Sequence, residues 1–124
     1  MRILLIRLSS LGDILLATAA IELIKRGTPD ATVDMAVYEQ FLPLIANHPD
    51  LQRKIVVPKK SIARALARFR LIRAGGLFFR FIRSLRAVRY DHVIDLHGVT
   101  DSALVALLAR AKARTGYRRQ LLTV

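Results

Sequence analysis

The 124-residue chain lacks cysteine, and no uncharged apolar stretch approaches the roughly 20 residues that a membrane-spanning helix requires. Without cysteine there is no disulfide framework, which fits a cytoplasmic protein. The three histidines, His48, His92 and His97, are scattered without ligand spacing, so we expect no metal site. The G-x-G-x-x-G fingerprint of dinucleotide-binding domains is also missing. With 53% hydrophobic residues, the sequence predicts one globular domain rather than a disordered protein.

Acidic residues are scarce, and the excess of positive charge is local. There are 21 Lys and Arg against 9 Asp and Glu, a formal net charge of +12. No acid lies between Asp50 and Asp91, a stretch that contains twelve cations: Arg53, Lys54, Lys59, Lys60, Arg64, Arg68, Arg70, Arg73, Arg80, Arg83, Arg86 and Arg89. A solvated helix face can look like this, but we expect one functional surface that contacts phosphates or an anionic membrane.

Strand and helix patterns alternate along the whole chain. Strands are predicted at Arg2–Arg7, Thr32–Tyr38, Lys54–Val57, Asp91–Leu96 and Arg114–Tyr117. Helices are predicted at Asp13–Arg26, Glu39–Asn47, Ser61–Arg73, Leu77–Arg89 and Val99–Ala111, with Gly75 and Gly76 separating the third from the fourth. Alternation of this kind predicts an α/β fold with a doubly wound, Rossmann-like parallel sheet.

The turn after the first strand ends in a carboxylate. Ser9, Ser10 and Gly12 are small enough for a tight turn whose amides approach a ligand, and the next helix begins at Asp13. Ligands of open parallel sheets bind just beyond the carboxyl ends of the strands. Asp13 could therefore act there as a general base. On the sequence pattern alone, ordinary helix capping, worth about 1 kcal/mol, is the favoured explanation of these residues, ahead of catalysis.

A second polar turn follows the fourth strand. Asp95 and His97 close that strand at the same edge of the sheet as Asp13. His97 could bind a sugar hydroxyl or a phosphate, it could assist proton transfer, or it could be a turn histidine bonded to backbone. Ser102 is expected in the first turn of the next helix, facing the same crevice.

The aromatic residues of the basic stretch bear on its partner. Phe69, Phe78, Phe79 and Phe81 have helical spacing that suits apolar packing better than a platform for stacked bases. Ile62, Leu66, Phe69 and Ile72 are expected to form one apolar helix face. Nucleic acid therefore remains a rival partner, but the less favoured one.

Two segments resemble glycosyltransferase family 9, the lipopolysaccharide heptosyltransferases. The opening Met1–Ile21 (MRILLIRLSSLGDILLATAAI) resembles the start of that family, and Tyr90–Gly98 (YDHVIDLHG) with Ser102-Ala-Leu resembles its second N-terminal motif. The resemblance implies the N-terminal half of a GT-B enzyme, so residues 1–124 would be an acceptor-binding domain without its C-terminal donor domain. It further implies an inverting transfer of heptose from ADP-heptose to the Kdo-lipid A core, with no cofactor and no metal.

The resemblance also assigns roles to individual residues. Asp13 matches the proposed catalytic base, and Ser9, Ser10 and Gly12 match the loop beside the transferred sugar. Lys59, Lys60 and Arg64 are the nearest candidates for the basic segment that meets acidic groups of the acceptor, and His97 stands where relatives carry Gln or His. Such an enzyme would be cytoplasmic and peripheral at the anionic inner membrane, and half of it should not transfer sugar alone.

Two other functions remain open on the residues. One is a small basic α/β module that binds nucleic acid, which would show steeply salt-dependent binding. The other is a non-catalytic interaction domain that keeps the fold without the chemistry.

Overall fold

The computed structural model describes residues 1–116, which form a five-stranded parallel sheet in the order β3-β2-β1-β4-β5. The strands are β1 (Arg2–Ile6), β2 (Thr32–Tyr38), β3 (Leu51–Val57), β4 (Tyr90–Asp95) and β5 (Ala111–Gly116). The helices are α1 (Leu11–Gly27), α2 (Leu42–Ile45, after a 3₁₀ turn at Glu39–Phe41), α3 (Lys59–Ala67), α4 (Leu71–Arg86) and α5 (Thr100–Leu108). The predicted doubly wound α/β sheet is confirmed.

Two apolar clusters cover the two faces of the sheet. Alternate residues of β1 point to opposite sides, so Leu5 packs with Ile14 of α1 while Leu4 packs with Leu85 of α4. α1 and α2 therefore cover one face, and α4 and α5 cover the other. Because β1 is buried between both layers, its sequence is almost continuously apolar.

The predicted break at Gly75-Gly76 is wrong, because α4 runs through both glycines. Glycine costs a helix interior roughly 1 kcal/mol relative to alanine, and burial of Ala74, Phe81 and Leu85 outweighs that cost. The chain turns earlier, where the N–H of Arg70 bonds the carbonyl of Ala65 at 2.8 Å.

Because α3 ends at Ala67, the predicted apolar face over Ile62, Leu66, Phe69 and Ile72 does not form. Phe69 lies in the turn with φ of 57° and is 89% exposed, and Ile72 is 93% exposed. Of the four phenylalanines expected to pack, only Phe81 is buried, while Phe69, Phe78 and Phe79 are exposed.

Other boundaries shift by a few residues. β3 begins at Leu51, earlier than expected, and α5 ends at Leu108, so β5 begins at Ala111. The prediction of a strand ending at Tyr117 extends past the described residues by one position. Between residues 1 and 116, no helix is both long and apolar enough to cross a bilayer.

Candidate active site

Asp13 lies in the first turn of α1, directly beyond the carboxyl end of β1. Its side chain is 49% exposed, and its carboxylate forms an ion pair with Arg7 and accepts a hydrogen bond from Ser10 Oγ at 2.7 Å. Within residues 1–116 these contacts all involve Oδ2. The carboxylate is thus held by two side chains at the rim of the sheet.

The capping interpretation of this turn is not supported by the geometry. Ser10 is the N-cap residue, yet no side chain caps the first turn of α1. The hydroxyl of Ser10 donates to Asp13 instead of accepting from the helix amides. The two side chains are consequently bonded to each other.

The neighbours of Asp13 lower its pKa. The largest contribution is the hydrogen bond from Ser10, followed by the positive charge of Arg7, and His97 adds a smaller one. Hydrogen bonds and cations that favour the charged form stabilise the carboxylate. Asp13 is therefore ionised throughout the physiological pH range.

Arg7 is a site residue that the sequence analysis missed. It follows the last residue of β1, and its Nη1 donates to the carbonyl of Leu96 at 3.0 Å while its Nη2 contacts Asp13. The guanidinium thus connects the turn after β1 to the turn after β4. A charged residue at the end of an apolar strand was the available signal, since that position lies at the ligand-binding edge.

His97 lies in the turn after β4, beside the Asp13 loop. The backbone N–H of Leu8 donates to its Nδ1 at 3.3 Å, so a neutral His97 ring carries its proton on Nε2. His97 also helps to lower the pKa of both Asp13 and Asp101, which indicates that it lies near both carboxylates. The two motifs identified in the sequence therefore meet at one edge of the sheet.

Asp95 and Ser102 have a structural role in that turn. Asp95 Oδ1 accepts from the amides of His97 and Gly98 at 2.9 and 3.0 Å, and its Oδ2 accepts from Ser102 Oγ at 3.0 Å. Ser102 is fully buried, so the expectation that it faces the crevice is wrong. Gly98 adopts φ of 70°, a conformation that favours glycine, and completes the turn.

Lys59, the first residue of α3, belongs to a second polar group at the same edge. Its Nζ donates to Asp101 Oδ2 at 2.8 Å and lies 5.0 Å from the centre of the Tyr38 ring. Tyr38 donates to the same Asp101 oxygen at 2.5 Å. The hydrogen bond from Lys59 is the main cause of the lowered pKa of Asp101, and it raises the pKa of Lys59 in turn.

The remaining candidates are distributed around this edge. Ser9 is half-buried, Gly12 is exposed, and an added Cβ at Gly12 would meet no atom within 4 Å. Lys60 and Arg64 are exposed on α3. In the part of the chain that the structure covers, no group of His, Asp or Glu side chains is arranged to hold a metal ion.

The basic stretch does not form the single surface that was expected. Arg53 Nη2 donates to the carbonyl of Ser84 at 2.6 Å, and Arg86 Nη1 donates to that of Leu108 at 2.7 Å, so both fasten secondary-structure elements together. Lys54 donates to the carbonyl of Leu51 within β3. The exposed cations lie mainly on α3, α4 and the turn between them.

The five-stranded parallel sheet matches solved family 9 heptosyltransferases, which have the GT-B fold, over about a third of their chains. Residues 78–122 match glycosyltransferase family 9 (heptosyltransferase), a match that includes the second motif but not the Asp13 loop. Lipopolysaccharide heptosyltransferase 3 of Escherichia coli is 32% identical over 80% of this chain, and lipopolysaccharide heptosyltransferase 1 of Pseudomonas aeruginosa is 36% identical over 83%. The chain belongs to glycosyltransferase family 9.

The structural comparison agrees with that assignment. The E. coli heptosyltransferase WaaC, solved with ADP, superposes with a TM-score of 0.80 at 28% identity, over 93% of this chain and 35% of WaaC. The matches cover 26% and 28% of the two heptosyltransferases named above. The chain therefore spans about a third or less of these relatives.

Proposed function

We propose that residues 1–124 are the N-terminal, acceptor-binding half of an inverting heptosyltransferase. The donor would be ADP-heptose and the acceptor the Kdo-lipid A inner core of lipopolysaccharide. Family membership and the ADP in the WaaC structure support the donor, and the relatives' activity on lipopolysaccharide supports the acceptor. One observation carries the proposal, namely the exposed Asp13 carboxylate held at the carboxyl edge by Arg7 and Ser10.

Asp13 is the proposed general base. Its carboxylate takes the proton from the acceptor hydroxyl while that oxygen attacks the anomeric carbon of heptose. The bond from this carbon to the phosphate oxygen breaks as the new bond forms, and ADP leaves with the electron pair. Attack on the face opposite ADP inverts the anomeric centre.

The N-terminus of α1 would stabilise the negative charge of the departing diphosphate. Backbone N–H groups and the positive end of the helix dipole favour an anion at this position. Ser9, Ser10 and Gly12 leave the backbone accessible, because Gly12 has open space where a side chain would be. We assign these three residues to the region beside the transferred sugar.

The cations on α3 and His97 would bind the acceptor. Lys59, Lys60 and Arg64 lie on the helix that begins at the end of β3, at the same sheet edge as Asp13. Their charge suits the acidic sugars and phosphates of a lipopolysaccharide core. His97 lies at the same edge beside the Asp13 loop, and we assign it to the acceptor site.

The donor-binding half is the proposed partner domain, and this half alone should not transfer sugar. No cofactor or metal enters the proposed reaction. Acting on a lipid-linked acceptor, the enzyme would be cytoplasmic and peripheral at the inner membrane, where its basic residues would face anionic lipids.

Replacing Asp13 by Asn tests the role of the base. In a protein that joins this chain to a donor-binding half, Asp13→Asn should lower kcat by a factor of about 10² or more, with little change in KM for acceptor. ADP release measures the rate. Because the pKa of Asp13 is lowered, the acid limb of kcat/KM should lie below pH 3.8.

Asp50→Asn is the matched control, since Asp50 precedes β3 at the opposite edge of the sheet. It should leave the rate unchanged. Turnover retained by Asp13→Asn would remove Asp13 from the role of base.

A further inference from the structure

The turn between α3 and α4 exposes three large apolar side chains. Phe69, Leu71 and Ile72, here called the hairpin tip, are 89%, 67% and 93% exposed. They line an open, mainly apolar groove of about 760 Å³ together with Leu77. Single exposed apolar residues are ordinary, but a contiguous group at a projecting turn indicates a binding surface.

Backbone hydrogen bonds hold the hairpin tip in place. The N–H of Phe69 donates to the carbonyl of Leu66 at 3.0 Å, and that of Arg70 donates to Ala65 at 2.8 Å. Phe69 takes up φ of 57°, which is uncommon for a bulky residue. The outward position of its ring is therefore set by the local fold.

The hairpin tip projects beyond the edge of the sheet that carries Asp13. Phe78 of α4 lines a groove together with Val57 and Lys59, so it lies level with the carboxyl end of β3. From there α4 continues toward β4, which begins at the opposite edge. Leu71 precedes Phe78 by two turns, which places the start of α4 about 10 Å further out.

Arginines surround the hairpin tip. Arg64, Arg68, Arg70 and Arg73 line a small cavity of about 160 Å³ with Ser61, and Arg70 and Arg73 also line the apolar groove. No Asp or Glu occurs between Asp50 and Asp91 in the sequence. Guanidinium groups gathered without a carboxylate are complementary to phosphate oxygens.

We propose that the hairpin tip inserts into the interfacial region of an anionic bilayer. Phe69, Leu71 and Ile72 enter the boundary of the acyl chains, and Arg68, Arg70 and Arg73 bind headgroup phosphates. Apolar side chains beside a basic cluster are typical of segments that lie on anionic membranes. The inference rests on the proposed function, because an enzyme with a lipid-linked acceptor must work at a membrane surface.

A tryptophan at position 69 tests the insertion directly. The chain contains no tryptophan, so Phe69→Trp provides a single indole at the hairpin tip. With phosphatidylglycerol vesicles its emission should shift to the blue, and lipids brominated on their acyl chains should quench it. Leu23→Trp is the matched control, since Leu23 is 66% exposed on α1, on the other face of the sheet. Its emission should not change.

Substitutions that weaken vesicle binding test the contributions of the apolar side chains and of the arginines separately. Phe69→Asn combined with Ile72→Gln should lower partition into phosphatidylglycerol vesicles at least tenfold, whereas Leu23→Gln should stay within twofold. Asparagine tolerates the backbone conformation at position 69. Arg70→Gln and Arg73→Gln should each lower partition roughly fivefold at low salt, and phosphatidylcholine vesicles should bind weakly throughout.

Several results would overturn the inference. One is a Phe69→Trp emission that does not shift when the protein binds vesicles, or that is already blue in buffer without vesicles. Another is self-association of the parent chain that Phe69→Asn combined with Ile72→Gln abolishes. If Phe69→Asn combined with Ile72→Gln weakens binding to an oligonucleotide but leaves vesicle partition unchanged, the hairpin tip is a nucleic-acid-binding surface instead. Asp13→Asn should bind vesicles like the parent chain, so failure at the membrane and failure of the catalytic proposal are distinguishable.

Discussion

At Asp13, an ionised and well-oriented carboxylate and a strong base are opposing requirements. The hydrogen bond from Ser10 and the charge of Arg7 keep its carboxylate ionised and oriented, but they lower its pKa and so weaken it as a base. General bases work best with a pKa near the operating pH. In the proposed transfer, Asp13 would thus contribute position and charge more than basicity.

At the same scale, Gly12 offers a test that separates fold from function. No atom lies within 4 Å of the position of an added Cβ, so Gly12→Ala should fold and should gain up to about 1 kcal/mol in free energy of unfolding. The added methyl group would enter the space assigned to the sugar, so transfer should fall in a protein containing both halves. Urea denaturation and ADP release measure the two effects.

Gly27→Ala makes the same chemical change at the other end of α1, where an added Cβ also meets open space. Its transfer rate should match that of the parent protein. Equal rates for Gly12→Ala and Gly27→Ala would argue against the assignment of Gly12.

At the scale of elements, the sequence predicted strands more accurately than the helical middle segment. β2 has the predicted bounds, because a short, mostly apolar segment between Pro29 and the polar Glu39 can form little other than a buried strand. α3 and α4 were misplaced because two adjacent glycines normally end a helix. Here the burial of Phe81 and Leu85 against the sheet stabilises α4 as one helix through the glycines. A local sequence pattern does not show which side chains will be buried by the rest of the fold.

The continuous α4 helix can be tested at its glycines. Gly75→Ala and Gly76→Ala should each raise the free energy of unfolding by about 0.5–1 kcal/mol, since both positions are helical and an added Cβ meets nothing within 4 Å. Thermal or urea unfolding measures the change. Gly98→Ala is the contrasting variant, and it should be destabilising because φ is 70° there.

The part of the candidate site that follows from the topology of the parallel sheet was predictable from the sequence. Strand, turn and helix placed Asp13 and His97 at one edge, because all parallel strands end there. The partners of Lys59 could not be found in this way. Asp101 lies 42 residues away from Lys59 and 63 from Tyr38, and only the assembled sheet brings these three together.

For the whole molecule, a buried polar group links β2, β3 and β4. Asp34 and Tyr90 are each 1% exposed, and the hydroxyl of Tyr90 donates to Asp34 Oδ2 at 2.6 Å. The amide of Arg53 donates to Asp34 Oδ1 at 3.0 Å. A buried carboxyl is costly unless it is fully hydrogen-bonded, so these contacts are needed for stability.

Tyr90→Phe should therefore lower the free energy of unfolding by about 1–3 kcal/mol near neutral pH. Burial is the main cause of the raised pKa of Tyr90, and the bond to Asp34 adds to it. The folded protein keeps this proton when the unfolded chain loses it, so this stability is complete below about pH 10 and is lost as the pH rises further. Urea unfolding at pH 7 and above pH 10 should show the difference from the parent shrinking, and a constant difference would contradict the assignment.

The outer strand β5 is secured mainly by polar groups. All its residues after Ala111 are exposed, and Arg114 donates to the carbonyls of Ala106 and Ala109, both at 2.7 Å. One guanidinium thus supplies donors to the carbonyl groups that the end of α5 leaves open. Beyond its ladder with β4, this margin of the sheet is held by Arg114, the Lys112–Asp91 ion pair and the His92–Thr115 hydrogen bond. Its amide protons should exchange with solvent sooner than those of β1, which has neighbours on both sides.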